Sequence, residues 1–308
     1  MPGVGYDEPM DSACAPMPEV VFPGGECRPA LGLGTWRMGE RRAQRAAEVA
    51  ALRAAFEIGW RVVDTAEMYG EGGAEEVIGE ALAAALRAGL AREQVFIVSK
   101  AYPHHASRAG LLDACARSRR RLRLDVIDLY LLHWRGGVPL AQTLAGFAEL
   151  QRRGWIRRWG VSNFDVADME ELLALAGADD PESGCAANQV CYSLGRRGVE
   201  FDLLPWQRAR GLPLMAYCPV DQGALAGAGA PAALHAVARR HGATPAQVAL
   251  AALLAKPGVL AIPKAASERH LRENLGAAAL ARALDDADRA ALDRAFPPPR
   301  HKHALAIV

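Results

Sequence analysis

The chain has 308 residues, 51% hydrophobic and 23% charged, a balance that fits a folded protein with a sizeable core and excludes a disordered one. Its 36 Lys and Arg stand against 35 Asp and Glu, for a net charge of +1, so no global field recruits nucleic acid or an anionic membrane. The length exceeds an average domain but lies within the range of a closed α/β barrel folded as one unit.

Residues 1–18 have neither a basic start nor an apolar core, so they read as a loosely ordered leader rather than a secretory signal, ahead of a single domain over 19–308. The six cysteines, Cys14, Cys27, Cys115, Cys185, Cys191 and Cys218, include no C-x-x-C pair. That pattern suits free thiols in a reducing cytoplasm rather than a disulfide framework or a zinc site, and no bound metal is expected. No apolar run approaches the roughly 20 residues that span a bilayer, so a soluble, cytoplasmic protein is expected, as a monomer or weak dimer.

In chain order, Leu31 to Thr35 predicts a strand, followed by a helix over 41–58. Trp60 to Thr65 predicts the next strand, which reaches Asp64 and leads into a glycine-containing loop bearing Tyr69, then a helix over 74–89. Val95 to Lys100 and a helix over 108–122 follow, then Val126 to His133 and a helix over 140–153, then Ile156 to Asn163 and a helix over 165–176. Ala186 to Val190 precedes a helix over 200–210, and Leu212 to Tyr217 precedes an Ala-Gly-Pro-rich loop and helical pattern over 231–256, broken at Gly242. There Thr244 and Pro245 read as an N-cap and first turn. Val259 to Pro263, a helix over 267–277 and an extra helix over 285–295 complete the pattern, leaving a short tail. Eight strands alternating with helices predict an α/β fold, a (β/α)8 TIM barrel with an extra C-terminal helix.

In such a barrel the strand C-terminal ends carry the chemistry. Here those ends present Asp64, Lys100, His133 and Trp134, Ser162 and Asn163, Gln189, and Tyr217. Taken singly, Asp64 reads as a cap, Tyr69 as a core-edge aromatic, Lys100 as a surface cation and His133 as a hydrogen-bonded core histidine. As one ordered set they read as a catalytic rim.

The ordered motifs DTAEMYG (64–70), VSK (98–100), LLHW (131–134), GVSNF (160–164), NQV (188–190) and IPKAAS (262–267), followed by RENL (272–275), resemble the aldo-keto reductase family from about Leu31 to Asn274. Further matches, LLPW (203–206) and MAYCP (215–219), make the pattern similar to the bacterial methylglyoxal reductase-like members. The resemblance implies reduction of small aldehydes and ketones by a nicotinamide cofactor, with Tyr69 as general acid, Lys100 as the charge that favours its phenolate, Asp64 pairing with Lys100, and His133 orienting the substrate carbonyl. The chemistry agrees, because a carbonyl accepting hydride develops alkoxide character and needs a proton donor and polarising groups at that oxygen.

The same resemblance implies that Tyr217 stacks on the nicotinamide while Ser162, Asn163 and Gln189 hold its carboxamide, with Gly34, Thr35 and Asp64 at the same ring. The segment Cys218 to Gly223, Val220 included, would pass over the pyrophosphate. Lys264 would meet the 2′-phosphate of NADP(H), and Glu273 and Asn274 the adenine. The chain departs from the family pattern at Ala265, where a serine is frequent, and at His270, where an arginine is expected; Arg269 and Arg272 are the nearby cations able to stand in. NADP(H) is therefore the expected cofactor, with NAD(H) an alternative. Trp36 and Trp134 match walls of the substrate pocket, and Arg135 at its mouth predicts a preference for carbonyls with an anionic neighbour. A tail ending soon after Arg300 predicts an open pocket of broad specificity.

Two other functions compete. One is a non-catalytic nicotinamide-binding subunit that senses redox state for a partner. The other is a barrel lyase or isomerase using Lys100 as a Schiff-base amine.

Overall fold

The computed structural model describes residues 17–177 and 184–308. For residues 1–16 the expected leader lies outside the described residues.

The described chain begins with a hairpin absent from the sequence reading. Strand β1 (Glu19–Val21) pairs antiparallel with β2 (Cys27–Pro29), and the reversal between them passes through Gly24 and Gly25, both at positive φ. Val20 and Phe22 are 2% and 1% exposed, and the Phe22 ring lies 5.0 Å from that of Phe96. Arg28 donates to the Glu93 carbonyl at 3.1 Å, and Glu26 pairs with Arg158.

Eight parallel strands follow, β3 (Leu33–Gly34), β4 (Val62–Asp64), β5 (Phe96–Ala101), β6 (Ile127–Leu132), β7 (Ile156–Ser162), β8 (Cys185–Cys191), β9 (Leu214–Tyr217) and β10 (Val259–Ala261), each beside its neighbour in sequence. Parallel bridges from Leu31 to Ala261 and from Gly34 to Lys264 join the last strand to the first. The result is a (β/α)8 barrel, with the hairpin seated where Phe96 begins its strand, as a stopper at the N-terminal mouth. Every residue of β5, β6 and β8 is buried, as expected of parallel strands covered by helices.

The helices are α1 (Arg45–Glu57), α2 (Gly73–Arg87), α3 (Arg108–Leu122), α4 (Leu140–Arg152), α5 (Val166–Ala176), α6 (Leu203–Arg208), α7 (Ala232–Arg240), α8 (Pro245–Leu254), α9 (Glu268–Ala283) and the extra α10 (Asp286–Ala295). The expected break at Gly242 separates α7 from α8. Thr244 caps α8 by accepting from the Gln247 amide at 3.2 Å, while the Gln247 side chain accepts from the Thr244 amide at 2.8 Å.

Helix α9 runs past the expected end at 277 to Ala283. Gly276 within it lets α8 approach, because a Cβ there would meet the Gln247 side chain at 2.5 Å.

Candidate active site

The strand ends place the expected residues on one rim. Gly34, Asp64, Ser162 and Tyr217 are the last residues of β3, β4, β7 and β9, while Lys100 and Gln189 sit near the ends of β5 and β8, and His133 follows β6. Register joins them laterally, with Gly34 opposite Asp64 and Ser162 opposite Gln189.

Lys100 is 0% exposed, and its ammonium uses all three donors, at 2.7 Å to Asp64 Oδ2, 2.9 Å to the Thr65 carbonyl and 3.2 Å to the Tyr69 hydroxyl. Gln189 Nε2 donates to Asp64 Oδ1 at 2.8 Å, so both carboxylate oxygens are held. Burial pushes the Asp64 carboxyl up and the Lys100 ammonium down, and their ion pair opposes both shifts. Thr35, whose hydroxyl donates to the Asp64 carbonyl at 2.9 Å, ties the first strand to the same point.

Tyr69 opens a tight turn, Tyr69–Gly72, in which Gly70, Glu71 and Gly72 all adopt positive φ. The loop after β3 lies backbone to backbone on that turn: Gly39, at φ 74°, would put a Cβ 2.1 Å from the Gly73 carbonyl carbon. Beneath it Glu75, 0% exposed, accepts from Ser99 at 2.5 Å and from Arg121 at 2.6 Å. The sequence reading did not single out Glu75; the cue was a carboxylate in the apolar face of a helix directly after the acid's loop.

Burial, reinforced by the charge of Asp64 and by Cys218, pushes the Tyr69 phenol well above its ordinary range. The Lys100 ammonium, 3.2 Å from that hydroxyl, is the charge expected to favour the phenolate once the proton leaves. Desolvation, and after it the Asp64 charge, favour the neutral phenol, so the site keeps the proton on Tyr69 until a stronger base forms.

His133 meets the Tyr69 ring edge-on, centroids 5.8 Å apart. Burial and then the Lys100 charge drive its imidazole down to about 2, so it is neutral at any working pH. Its Nδ1 is buried without a hydrogen-bond partner, which leaves Nε2 as the ring atom free to face a ligand.

The polar row of the opposite side is also assembled. Ser162 donates to the Gln189 carbonyl at 2.8 Å, Asn163 Nδ2 donates to the His133 carbonyl at 3.2 Å, and Tyr217 donates to Asn163 Oδ1 at 2.9 Å. Asn163 and Cys218 hold positive φ, 59° and 51°, where the chain leaves β7 and β9. The Gln189 Oε1 accepts no hydrogen bond among the described residues. A carboxamide presents both a donor and an acceptor, and this set fits it. The segment from Cys218 through Val220 to Gly223 is anchored by Asp221, which accepts from Arg196 at 2.6 Å.

Farther out the expected residues separate. Lys264 lies beside Gly34, next to the buried Ala265. His270 instead accepts from Arg269 at 2.9 Å and lies 4.0 Å from Glu273, on the first turns of α9. Glu273 also pairs with Arg269 at 3.5 Å, its carbonyl accepts from Gln247 at 2.8 Å, and Asn274 is 8% exposed.

Aromatic rings line the approach. Trp134 lies 5.0 Å from His133 and 6.1 Å from Tyr102, a residue the sequence reading passed over although it directly follows a strand. Trp36 carries the Arg37 guanidinium over its face at 4.3 Å. Arg135 holds Glu171 through both terminal nitrogens at 2.7 and 2.9 Å and Asp168 at 3.2 Å. It pins the loop after β6 to α5, and its charge is balanced by two carboxylates.

A proton donor with a buried supporting pair, on the end of the barrel where barrel enzymes work, puts the chain in the class of barrel oxidoreductases. Residues 30–296 match the Aldo/keto reductase family. The chain is 48% identical over 291 residues to methylglyoxal reductase YeaE of Escherichia coli strain K12, across 94% of this chain and 98% of that protein. It is 34% identical over 246 residues to glyoxal reductase of Bacillus subtilis strain 168, across 80% and 82%. Among solved structures, the aldo/keto reductase from Klebsiella pneumoniae in complex with NADP and acetate superposes with a TM-score of 0.85 at 47% identity, covering 95% of this chain and all, 100%, of that one. The chain belongs to the aldo/keto reductase family.

Proposed function

We infer that this protein reduces small aldehydes and ketones, methylglyoxal-like dicarbonyls among them, to alcohols with NADPH, and that Asp64, Tyr69, Lys100 and His133 are its catalytic residues. The observation that carries the reading is the buried chain from Asp64 through Lys100 to the Tyr69 hydroxyl, closed by contacts of 2.7 and 3.2 Å. The nicotinamide supplies a hydride when bound. Neutral His133 offers Nε2 to the substrate oxygen, and Tyr69 delivers its proton as that oxygen becomes an alkoxide. An alkoxide is far more basic than a phenolate, so the raised Tyr69 still yields its proton, and Lys100 then faces the phenolate left behind. Ser162, Asn163 and Gln189 orient the carboxamide and Tyr217 supplies a flat face for the ring, while Gly34 and Thr35 border it. The loop with Cys218 and Val220 covers the pyrophosphate, and Glu273 and Asn274 serve the adenine.

Trp36, Trp134 and Tyr102 form the substrate wall. Arg135, being paired, anchors its loop and does not select anionic substrates. The Schiff-base alternative is disfavoured, since Lys100 is fully buried and all its donors are taken. A redox-sensing accessory role gains nothing from a site whose acid and supporting pair are both in place.

The five described cysteines are free thiols, and among the described residues no helix is long and apolar enough to cross a membrane. Both facts are compatible with a cytoplasmic monomer or weak dimer without nucleic-acid or membrane partners, which we propose with the rest. Following the reduced-nicotinamide absorbance with methylglyoxal tests the reading: rapid NADPH oxidation should fall at least about a hundredfold in Tyr69→Phe. Turnover surviving that substitution would refute the assignment of the acid.

A further inference from the structure

The 2′-phosphate of NADP(H) needs more than Lys264, and the helix that should supply a second cation does not. Arg269 is paired with Glu273 at 3.5 Å and Arg272 with Glu268 at 2.7 Å, each on its own helix, while His270 leans on Arg269. None of the three lines the cavity that Lys264 faces.

That cavity, about 720 Å³, opens between the loop after β10 and the loop after β3, which the parallel bridge from Gly34 to Lys264 holds side by side. Its size falls in the range of small-molecule and cofactor sites. Arg37 and Arg41 line it together with Lys264. Among the described residues the Arg41 and Lys264 side chains make no hydrogen bond or ion pair, and the Arg37 guanidinium has only the face of Trp36 beneath it. Glu40 and Glu48 line it too, but Glu48 is 7% exposed and already accepts from the Gly39 amide at 2.9 Å. Three side-chain cations without an ion-pair partner among the described residues face the carboxylates of Glu40 and Glu48, a net positive lining whose arginine forks suit a phosphate. A phosphate monoester carries about −1.5 to −2 charges at neutral pH, and the arginine fork binds it through paired hydrogen bonds.

We propose that Arg41, with Arg37 and Lys264, reads the 2′-phosphate of NADP(H) from the loop after the first barrel strand, and that His270 takes no part in this recognition. The proposal rests on the reading of the site as NADP(H)-binding. Its competitor is Glu40, which would accept a hydrogen bond from the free 2′-hydroxyl of NADH.

The test is equilibrium titration of intrinsic tryptophan fluorescence, with Trp36 beside the site, using NADPH, NADH, 2′,5′-ADP and 5′-AMP. In Arg41→Ala the Kd for NADPH and 2′,5′-ADP should rise about tenfold or more, as for loss of a charge-assisted contact, while the Kd for NADH and 5′-AMP moves less than about twofold. Arg41→Lys should recover part of the loss, because lysine restores the charge without the fork. His270→Ala should change none of the four.

Equal weakening of both cofactors in Arg41→Ala, no weakening of either, or a NADPH-specific loss in His270→Ala would each overturn the proposal. Loss of NADPH binding in Lys264→Ala but not in Arg41→Ala would overturn it while leaving the reductase reading intact. A wild type that binds neither NADPH nor NADH would bring down both.

Discussion

The Lys100 ammonium lies 3.2 Å from the Tyr69 hydroxyl and 2.7 Å from Asp64, so one buried cation serves a carboxylate and an acid together. The Asp64 contact keeps Lys100 charged in a dry site, and the Tyr69 contact puts that charge where a phenolate must form. Neither role survives replacement of the side chain by an apolar one of similar length.

Lys100→Met should therefore lower kcat for aldehyde reduction by roughly 10² to 10⁴ with KM little changed, since the lost interaction is made mainly after proton transfer. Steady-state kinetics with a small aldehyde checks it. Because Tyr69 is held well above 10, wild-type reduction should stay flat across neutral pH, whereas oxidation of the alcohol, which needs the phenolate, should climb as pH rises.

His133 predicts a stability signature. Its folded pKa is about 2, far below the roughly 6.5 of an unfolded histidine, so below the latter the unfolded chain takes up a proton that the folded chain refuses. This contribution is complete above the unfolded value and is lost as pH falls from there toward the folded one. Between pH ~6.5 and ~5.5 it amounts to about 1 kcal/mol. Urea unfolding of wild type and His133→Gln at those two pH values should show the wild type losing that much more than the variant.

Arg135→Ala should leave the ratio of kcat/KM for an anionic aldehyde to a neutral one unchanged, because Glu171 and Asp168 already balance the guanidinium. Paired assays with the two substrate classes decide this. A drop in that ratio would show that the charge acts on substrate in spite of its partners.

The sequence exposed the barrel and its rim because both are written in local signals: apolar runs of four to eight residues, each closing on a polar group. What escaped it was assembled across distance or too short to show a period. The β1 and β2 strands have three residues each, fewer than an alternation needs to declare itself. Arg135 looked free because its partners lie 33 and 36 positions away on α5. Nothing in the sequence singled out Arg37 and Arg41, since only closure of the barrel brings Lys264 beside them. The burial that raises Tyr69 was likewise hidden, because charge is visible in a sequence and desolvation is not.

Phe22 against Phe96 caps the N-terminal end of a barrel whose interior is packed with strand side chains, so the rim at the strand C-terminal ends is the face on which a site can open. Under the proposed reaction, cofactor and carbonyl would both have to reach the site over that rim. The segment from Cys218 to Gly223, which follows β9 and is tied down by Arg196 and Asp221, borders that side at a distance in sequence from the acid, so its residues can vary while Tyr69 stays in place.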